Sequence, residues 1–220
     1  MAQVDFITSL HKSQKRDYLA RVINNDKADC ALVSKRLGKD YWDGERKYGY
    51  GGYKYDGRWK RMAEELVKYY NLKNGERVLD IGCGKGYLLY ELKLLLPGLE
   101  IIGLDLSKYA LDNSKEEIRE YLHLGTACKL DYPDKYFDLI ISLNTLHYLY
   151  IFELKQALLE ISRACRKNSY IVVESYRNEY EKANLLNWQL TCECFFTPQE
   201  WEWLFKEFGY KGDYSFIYFE

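Results

Sequence analysis

The hydrophobic pattern changes its period close to Gly75. Before that point apolar residues recur at near-helical spacing: Phe6, Ile7, Leu10, Leu19, Val22 and Ile23 predict a helix over Val4 to Ile23. A shorter helix is predicted from Lys27 to Leu37. Another runs from Arg61 to Tyr70 and ends at the polar turn Asn71 to Gly75. Between these helices, Gly38 to Trp59 is rich in Gly and Tyr, holds no sustained period and reads as a loop.

After Gly75 strands and helices alternate. Arg77 to Ile81 is an apolar strand running into glycines, and Tyr87 to Leu96 is an apolar helix stopped by Pro97-Gly98. Glu100 to Leu106 is a second strand, with Ser107 as N-cap of a helix through Tyr121. A short third strand lies within Leu122 to Leu130. Phe137 to Leu143 is a fourth, almost wholly apolar, as a strand buried on both faces requires. A helix over Phe152 to Arg166, a strand over Ser169 to Glu174, a helix over Pro198 to Phe208 and a strand over Tyr214 to Phe219 complete the pattern. The alternation predicts an α/β fold, a doubly wound and mostly parallel sheet with an N-terminal helical cap. The sheet has six strands, or seven if Trp188 to Phe196 contributes one.

Composition narrows the function classes. With 220 residues the chain is long enough to bury a core as one domain: residues 1–60 form the helical cap and the Tyr/Gly-rich loop, and residues 75–220 form the alternating core. A formal net charge of -1, with 32 basic and 33 acidic residues, excludes a polyanion binder and argues against nucleic acid as partner. No apolar run reaches the length that spans a bilayer, and the amphipathic N-terminus lacks the features of a signal peptide, so a cytoplasmic protein with no membrane partner is expected. The six cysteines are scattered and are read as reduced thiols. Cys192 and Cys194 form a C-x-C pair, but no second Cys/His pair stands at zinc spacing, so no metal is expected.

The chemistry concentrates in Val78-Leu79-Asp80-Ile81-Gly82-Cys83-Gly84-Lys85-Gly86. Glycines after a first strand allow a sharp turn and a close approach by a ligand. Their alternation differs from the G-x-G-x-x-G spacing of dinucleotide sites. Asp80 would repel a pyrophosphate but suits the ammonium of an amino acid. Asp105, at the end of the second strand, is placed to accept both hydroxyls of a ribose.

These residues resemble the class I S-adenosylmethionine-dependent methyltransferases. The first motif of that family, D-x-G-x-G-x-G, is matched by Asp80, Gly82, Gly84 and Gly86, and its acidic residue after strand two by Asp105. Its third element appears as Gly125-Thr126-Ala127 followed by Tyr132-Pro133-Asp134-Lys135-Tyr136-Phe137-Asp138, with Thr126 where the family usually carries Asp. The resemblance runs in order from Gly75 to Glu174. It implies a Rossmann-like methyltransferase fold, with S-adenosylmethionine held by Asp80, Gly82, Gly84, Gly86, Asp105, Leu106, Thr126, Ala127 and Asn144. The Tyr/Gly-rich loop is read as a cover, with Tyr50 against the sulfonium and Arg58 against the cofactor's carboxylate. The alternative is a surface loop packed by its own tyrosines.

On the acceptor side, His147 after the fourth strand reads as a general base or as a structural histidine. Glu174, Tyr176 and Arg177 share that rim, with Glu174 as base or orienting carboxylate, and Glu193 is a further candidate. The block Gly38 to Lys60 and the run Glu174 to Asn178 resemble small methyltransferases of bacterial surface-polysaccharide pathways. That resemblance implies O-methylation of a capsule precursor at a sugar hydroxyl or a phosphoramidate-type group. Methylation of an unrelated small metabolite and a non-catalytic cofactor-binding subunit are the alternatives. The oligomeric state is not readable from the sequence.

Overall fold

The computed structural model describes residues 1–12 and 16–220. Strands β1 (Arg77–Ile81), β2 (Glu100–Asp105), β3 (Leu122–Leu124), β4 (Phe137–Leu143), β5 (Cys165–Glu174) and β6 (Asp213–Ile217) form one parallel sheet in the order β3-β2-β1-β4-β5-β6. The order reverses between β1 and β4, and in such sheets the crevice beyond the carboxyl ends of those strands is where ligands bind. The segment from Trp188 to Phe196 forms no strand, so the sheet has six. Gln3 pairs with Tyr214 and occupies the outer edge of β6.

Both faces of the sheet are covered. Alternate residues of each central strand enter separate cores. Leu79, Ile81, Ile171 and Val173 pack on one face with α9 (Ile151–Ala164) and α11 (Pro198–Glu207). Val78, Leu139, Tyr170 and Val172 pack on the other with α5 (Lys60–Tyr70), α6 (Tyr87–Leu95) and α10 (Glu179–Trp188). An irregularity between Phe137 and Leu139 puts Phe137 and Ile140 on the same side. Among the described residues, no helix is long and apolar enough to cross a membrane.

Several predicted elements divide or shift. The helix expected over Val4 to Ile23 is seen as α1 (Thr8–Lys12) and α2 (Tyr18–Ile23), with residues 13–15 outside the described residues. Asp17 caps α2 by accepting the Ala20 N–H. The helix expected from Ser107 to Tyr121 is two, α7 (Lys108–Asp112) and α8 (Glu116–Arg119). The Asn113 and Ser114 side chains bond the Tyr109 and Leu111 carbonyls, a local competition that ends the first helix. Of Leu122 to Leu130 only three residues are strand. The first predicted short helix is α3 (Lys27–Ser34). The Tyr/Gly-rich loop contains α4 (Lys39–Asp43), bounded by Gly38 and Gly44. Unpredicted α10 is capped by Asn178, whose side chain accepts the Glu181 N–H, and it carries Trp188 to the site.

Asp138 fastens the amino end of the sheet, opposite the crevice. Its buried carboxylate accepts the Arg77 N–H at 3.0 Å and the Arg166 Nε–H at 2.9 Å. Arg166 is half exposed, so solvent screening reduces its share, and the bond to the main chain dominates. Asp138→Ala is expected to cost about 2 kcal/mol, because the Arg77 amide loses a charged acceptor. Urea unfolding checks this; a midpoint equal to that of the wild type contradicts it.

Candidate functional site

The chain leaves β1 at Ile81 and turns through glycines with positive φ into α6. Two of them face other elements at a distance that leaves no room for a side chain. A Cβ on Gly82 would lie 1.9 Å from Thr145 Oγ1, and one on Gly84 would lie 2.7 Å from the Trp42 ring. Gly86 has a different environment: a Cβ there would meet Ile118 and Leu122, inside the apolar layer rather than at a cavity.

Asp105 joins this turn to the next one. Its Oδ2 accepts the Gly84 N–H and its Oδ1 the Ser107 N–H, both at 2.7 Å. Burial raises its pKa, opposed by these amide bonds. Asp80 is also buried, and desolvation together with the nearby Asp105 charge pushes its pKa up to about 7.

Around these carboxylates two cavities of about 140 and about 330 Å³ share Trp42, Tyr50, Gly82, Leu143 and Asn144. They form one trough across the ends of β1, β2 and β4. Asp80 and Gly84 face the smaller part; Asp105, Leu106, Thr126 and Ala127 line the larger. Thr126 Oγ1 accepts the Cys128 N–H, so its hydroxyl serves the local turn. Asn144 is left-handed at φ 54°, and its buried Oδ1 has no partner among the described residues. An unpaired buried carbonyl is costly. It is a ready acceptor for an ammonium donor.

The Tyr/Gly-rich loop lies over this trough. Tyr50 stacks on Trp42 with centroids 5.1 Å apart and planes within 5°, and it touches Tyr41 and Tyr53 edge-on or tilted. The loop is attached to the strand turns at two points. Trp42 Nε1 donates to Ser107 Oγ at 2.8 Å, and Asp43 accepts the buried Lys85 ammonium. Arg58 lines the smaller cavity, but its Nε donates to both Asp56 oxygens at 2.8 Å, so a bound carboxylate must compete with Asp56.

A third cavity of about 120 Å³ meets the trough at Tyr50 and Asn144 and is lined by Glu174, Gln189, Trp188, Arg16, Arg21 and Arg46. Glu174 is buried, and desolvation raises it to about 8 against the Gln189 hydrogen bond and the Arg16 charge. His147 does not reach any of the three cavities, which corrects its expected place at the rim. It sits fully buried behind Glu174 in a 3-10 turn, Leu146–Tyr148. Its Nδ1 accepts the Glu174 N–H, so the ring proton is assigned to Nε2, 3.5 Å from Glu174 Oε2. Burial holds its pKa down at about 3, which keeps it neutral.

Arg177 is tied to Glu181 and Glu220 and faces none of these cavities, and Tyr176 packs in the core layer. Glu193 lines the larger part of the trough, paired with Lys35. His147, Glu174 and Cys192 bring ligand atoms within 4.8 Å of one another, but the Cys192 thiol donates to the Cys194 carbonyl and burial keeps it protonated. All six cysteines are unbridged. Sequence reasoning missed Trp42, Arg16, Arg21, Arg46 and Gln189. Only tertiary folding turns these residues toward the cavities.

Residues 72–209, well over half of the chain, match the family model described as "Methyltransferase domain". An uncharacterized methyltransferase of Schizosaccharomyces pombe is 28% identical over 56% of this chain and 50% of its own length. A demethylmenaquinone methyltransferase of Symbiobacterium thermophilum is 30% identical over 37% of this chain and 36% of its own. The chain thus matches half or less of these curated relatives. A geranyl diphosphate methyltransferase solved in complex with SAM shares the fold: the TM-score is 0.57 at 15% identity, covering 67% of this chain and 63% of that one.

Asp80 gives the trough a pH signature. A cationic ammonium needs the ionised carboxylate, and in the free protein ionisation is half complete at about pH 7. The affinity for S-adenosylhomocysteine is therefore expected to rise about ten-fold between about pH 6 and about pH 8. Titration calorimetry tests this, with Asp80→Asn expected to abolish the rise. A flat wild-type profile, or the same rise in the variant, contradicts the assignment.

Proposed function

The chain belongs to the methyltransferase domain family, and from that premise we propose that it transfers a methyl group from S-adenosylmethionine to an oxygen of a small-molecule acceptor. The acceptor in this reading is a precursor of capsule or another surface polysaccharide. The observation that carries the proposal is the meeting of two chemically different cavities at Tyr50 and Asn144. One has the carboxylates, glycines and apolar walls that suit the donor, and the other is lined mainly by polar and aromatic side chains.

The trough fits the donor on its own residues. Each Asp105 oxygen spends one lone pair on a main-chain amide, which leaves acceptor capacity for two ribose hydroxyls. Exposed Leu106 and buried Ala127 offer apolar surface to an adenine, and Asp80 with Asn144 Oδ1 offers negative charge to an ammonium. When bound, the donor's sulfonium supplies an electrophilic methyl group. The Tyr50 and Trp42 faces attract that cation and exclude water from it. The chain's task is to hold donor and acceptor in contact, since positioning supplies much of the rate of such a displacement.

On the acceptor side Glu174 replaces His147 as the group that meets the substrate. With its pKa raised to about 8, Glu174 accepts a proton from a hydroxyl acceptor only when ionised, and as a protonated acid it donates a hydrogen bond. His147 acts through Glu174 as a positioning residue. The surface-polysaccharide assignment is supported by the resemblance of the Tyr/Gly-rich block and of the segment 174–178; the block and, from the segment, Glu174 border the cavities. The curated quinone relative matches too little of the chain to argue for its own acceptor.

Asp105→Ala is expected to weaken S-adenosylhomocysteine binding by about ten-fold to a hundred-fold, since hydrogen bonds to a charged group contribute about 1.5–3 kcal/mol. Transfer of labelled methyl to extracts of surface-polysaccharide precursors should fall with it. A folded variant with wild-type affinity, or a wild-type protein that consumes no S-adenosylmethionine with any acceptor fraction, contradicts the proposal.

A further inference from the structure

The aromatic cover is fastened to the donor trough by a buried ammonium. Lys85 stands between the second and third glycines of the turn after β1, and its side chain is buried. It donates to both Asp43 oxygens, at 2.9 and 2.7 Å, and to the Tyr53 carbonyl at 2.8 Å. One cation thereby holds both ends of the segment that carries Tyr50. Asp43 also accepts the Tyr53 N–H at 3.0 Å and the Tyr109 hydroxyl at 2.9 Å, which ties it to α7. Within the cover, the Tyr50 and Gly52 amides donate to the Tyr41 and Trp42 carbonyls. Residues 41–53 are thus bonded together as one unit.

That unit stands over the passage between the two parts of the trough. Trp42, Tyr50, Gly82, Leu143 and Asn144 line both cavities, so a neck bounded by the cover joins them. The Trp42 ring lies against Gly84 at the same turn. A donor with its ammonium at Asp80 and its ribose at Asp105 passes through this neck. Threading its charged amino-acid end beneath a closed aromatic stack would strip that end of water, which is costly. A lifted cover lets the whole molecule be laid in. Lifting it requires parting Lys85 from Asp43 and the Trp42 indole from Ser107.

We propose that the Lys85–Asp43 pair is a latch that sets how fast the donor enters and leaves, with the cover lifting as one unit when it breaks. That role rests on the reading of the trough as the donor site and adds a gate to it. Lys85 belongs to the glycine turn itself, so cover and donor site are joined through one residue. The latch is made whether the trough is filled or not, and it stabilises the closed free state and the closed bound state alike. Weakening it therefore raises the association and dissociation rates together and leaves their ratio unchanged. A residue that only touches the donor changes dissociation and affinity instead. A residue that only supports the fold changes neither rate in a folded variant.

Stopped-flow tryptophan fluorescence with S-adenosylhomocysteine as the probe measures both rates, with Trp42 beside the trough as reporter. Asp43→Asn, which keeps the shape and removes the charge, is expected to raise both rates about ten-fold, the effect of losing a charge-assisted bond. The dissociation constant should stay within about two-fold of the wild type. Tyr109→Phe keeps the ion pair and removes one bond to Asp43; it should raise both rates about three-fold, and it decides the matter if the first variant does not fold. Trypsin should also cut between Gly44 and Arg58 faster in Asp43→Asn than in the wild type, a readout that needs no donor. Unchanged rates in the folded variants, or a change in one rate alone, overturn the latch. A wild type that binds no S-adenosylhomocysteine sinks the donor reading instead. Faster trypsin cutting of the variant would then leave the moving cover standing, and equal cutting would overturn it as well.

Discussion

The double hydrogen bond from the Gly84 and Ser107 amides to Asp105 is the constraint on which the site depends. It closes the turn after β1 onto the turn after β2. Ser107 in turn caps α7 and receives the Trp42 indole N–H, so the aromatic loop is held by the same node. Gly82 and Gly84 permit the approach that these bonds require, because side chains there would collide with Thr145 and Trp42. One carboxylate thereby positions the walls of the trough and its aromatic cover. Desolvation of Asp80, with the Asp105 charge beside it, raises the pKa of Asp80, which joins the architecture of the node to its electrostatics.

The two sides of the site differ in charge. Asp80 and Asp105 line the trough, with Arg16 and Arg58 at its smaller part, and Arg21 and Arg46 stand with Arg16 and Glu174 around the neighbouring cavity. Tyr50 and Asn144 stand between them, one an aromatic face and the other a strained residue with an unpaired carbonyl. This polarity suits a reaction in which a cationic donor meets an electron-rich oxygen. Beneath that cavity, His147 accepts the Glu174 main-chain N–H, and its own carbonyl accepts the Glu193 and Cys194 amides. The histidine therefore links β4, β5 and the segment before α11 without facing substrate.

The sequence disclosed the donor half more fully than the acceptor half, for a physical reason. Strand alternation and the glycine turn are local signals, so β1, β4 and the setting of Asp80, Gly82 and Asp105 were legible from spacing alone. Gly86 was read with them, but its lost Cβ makes room for Ile118 and Leu122 rather than for a ligand. His147 was read as rim-facing because it follows β4. The 3-10 turn Leu146–Tyr148 instead rotates it inward, a change of direction that residue type does not encode. The arginines were invisible as a group. Arg16 and Arg21 belong to the N-terminal segment and Arg46 to the aromatic loop, and only the Trp188 ring at the end of α10 brings them together.

The central claim is that donor and acceptor occupy distinct cavities joined at Tyr50 and Asn144. A crystal structure of the protein soaked with S-adenosylhomocysteine tests it most directly. The account predicts ribose density against Asp105, adenine density beside Leu106 and Ala127, and sulfur directed at the Tyr50–Asn144 junction. Nucleoside density among the arginines, with the trough beside Asp105 empty, would contradict it.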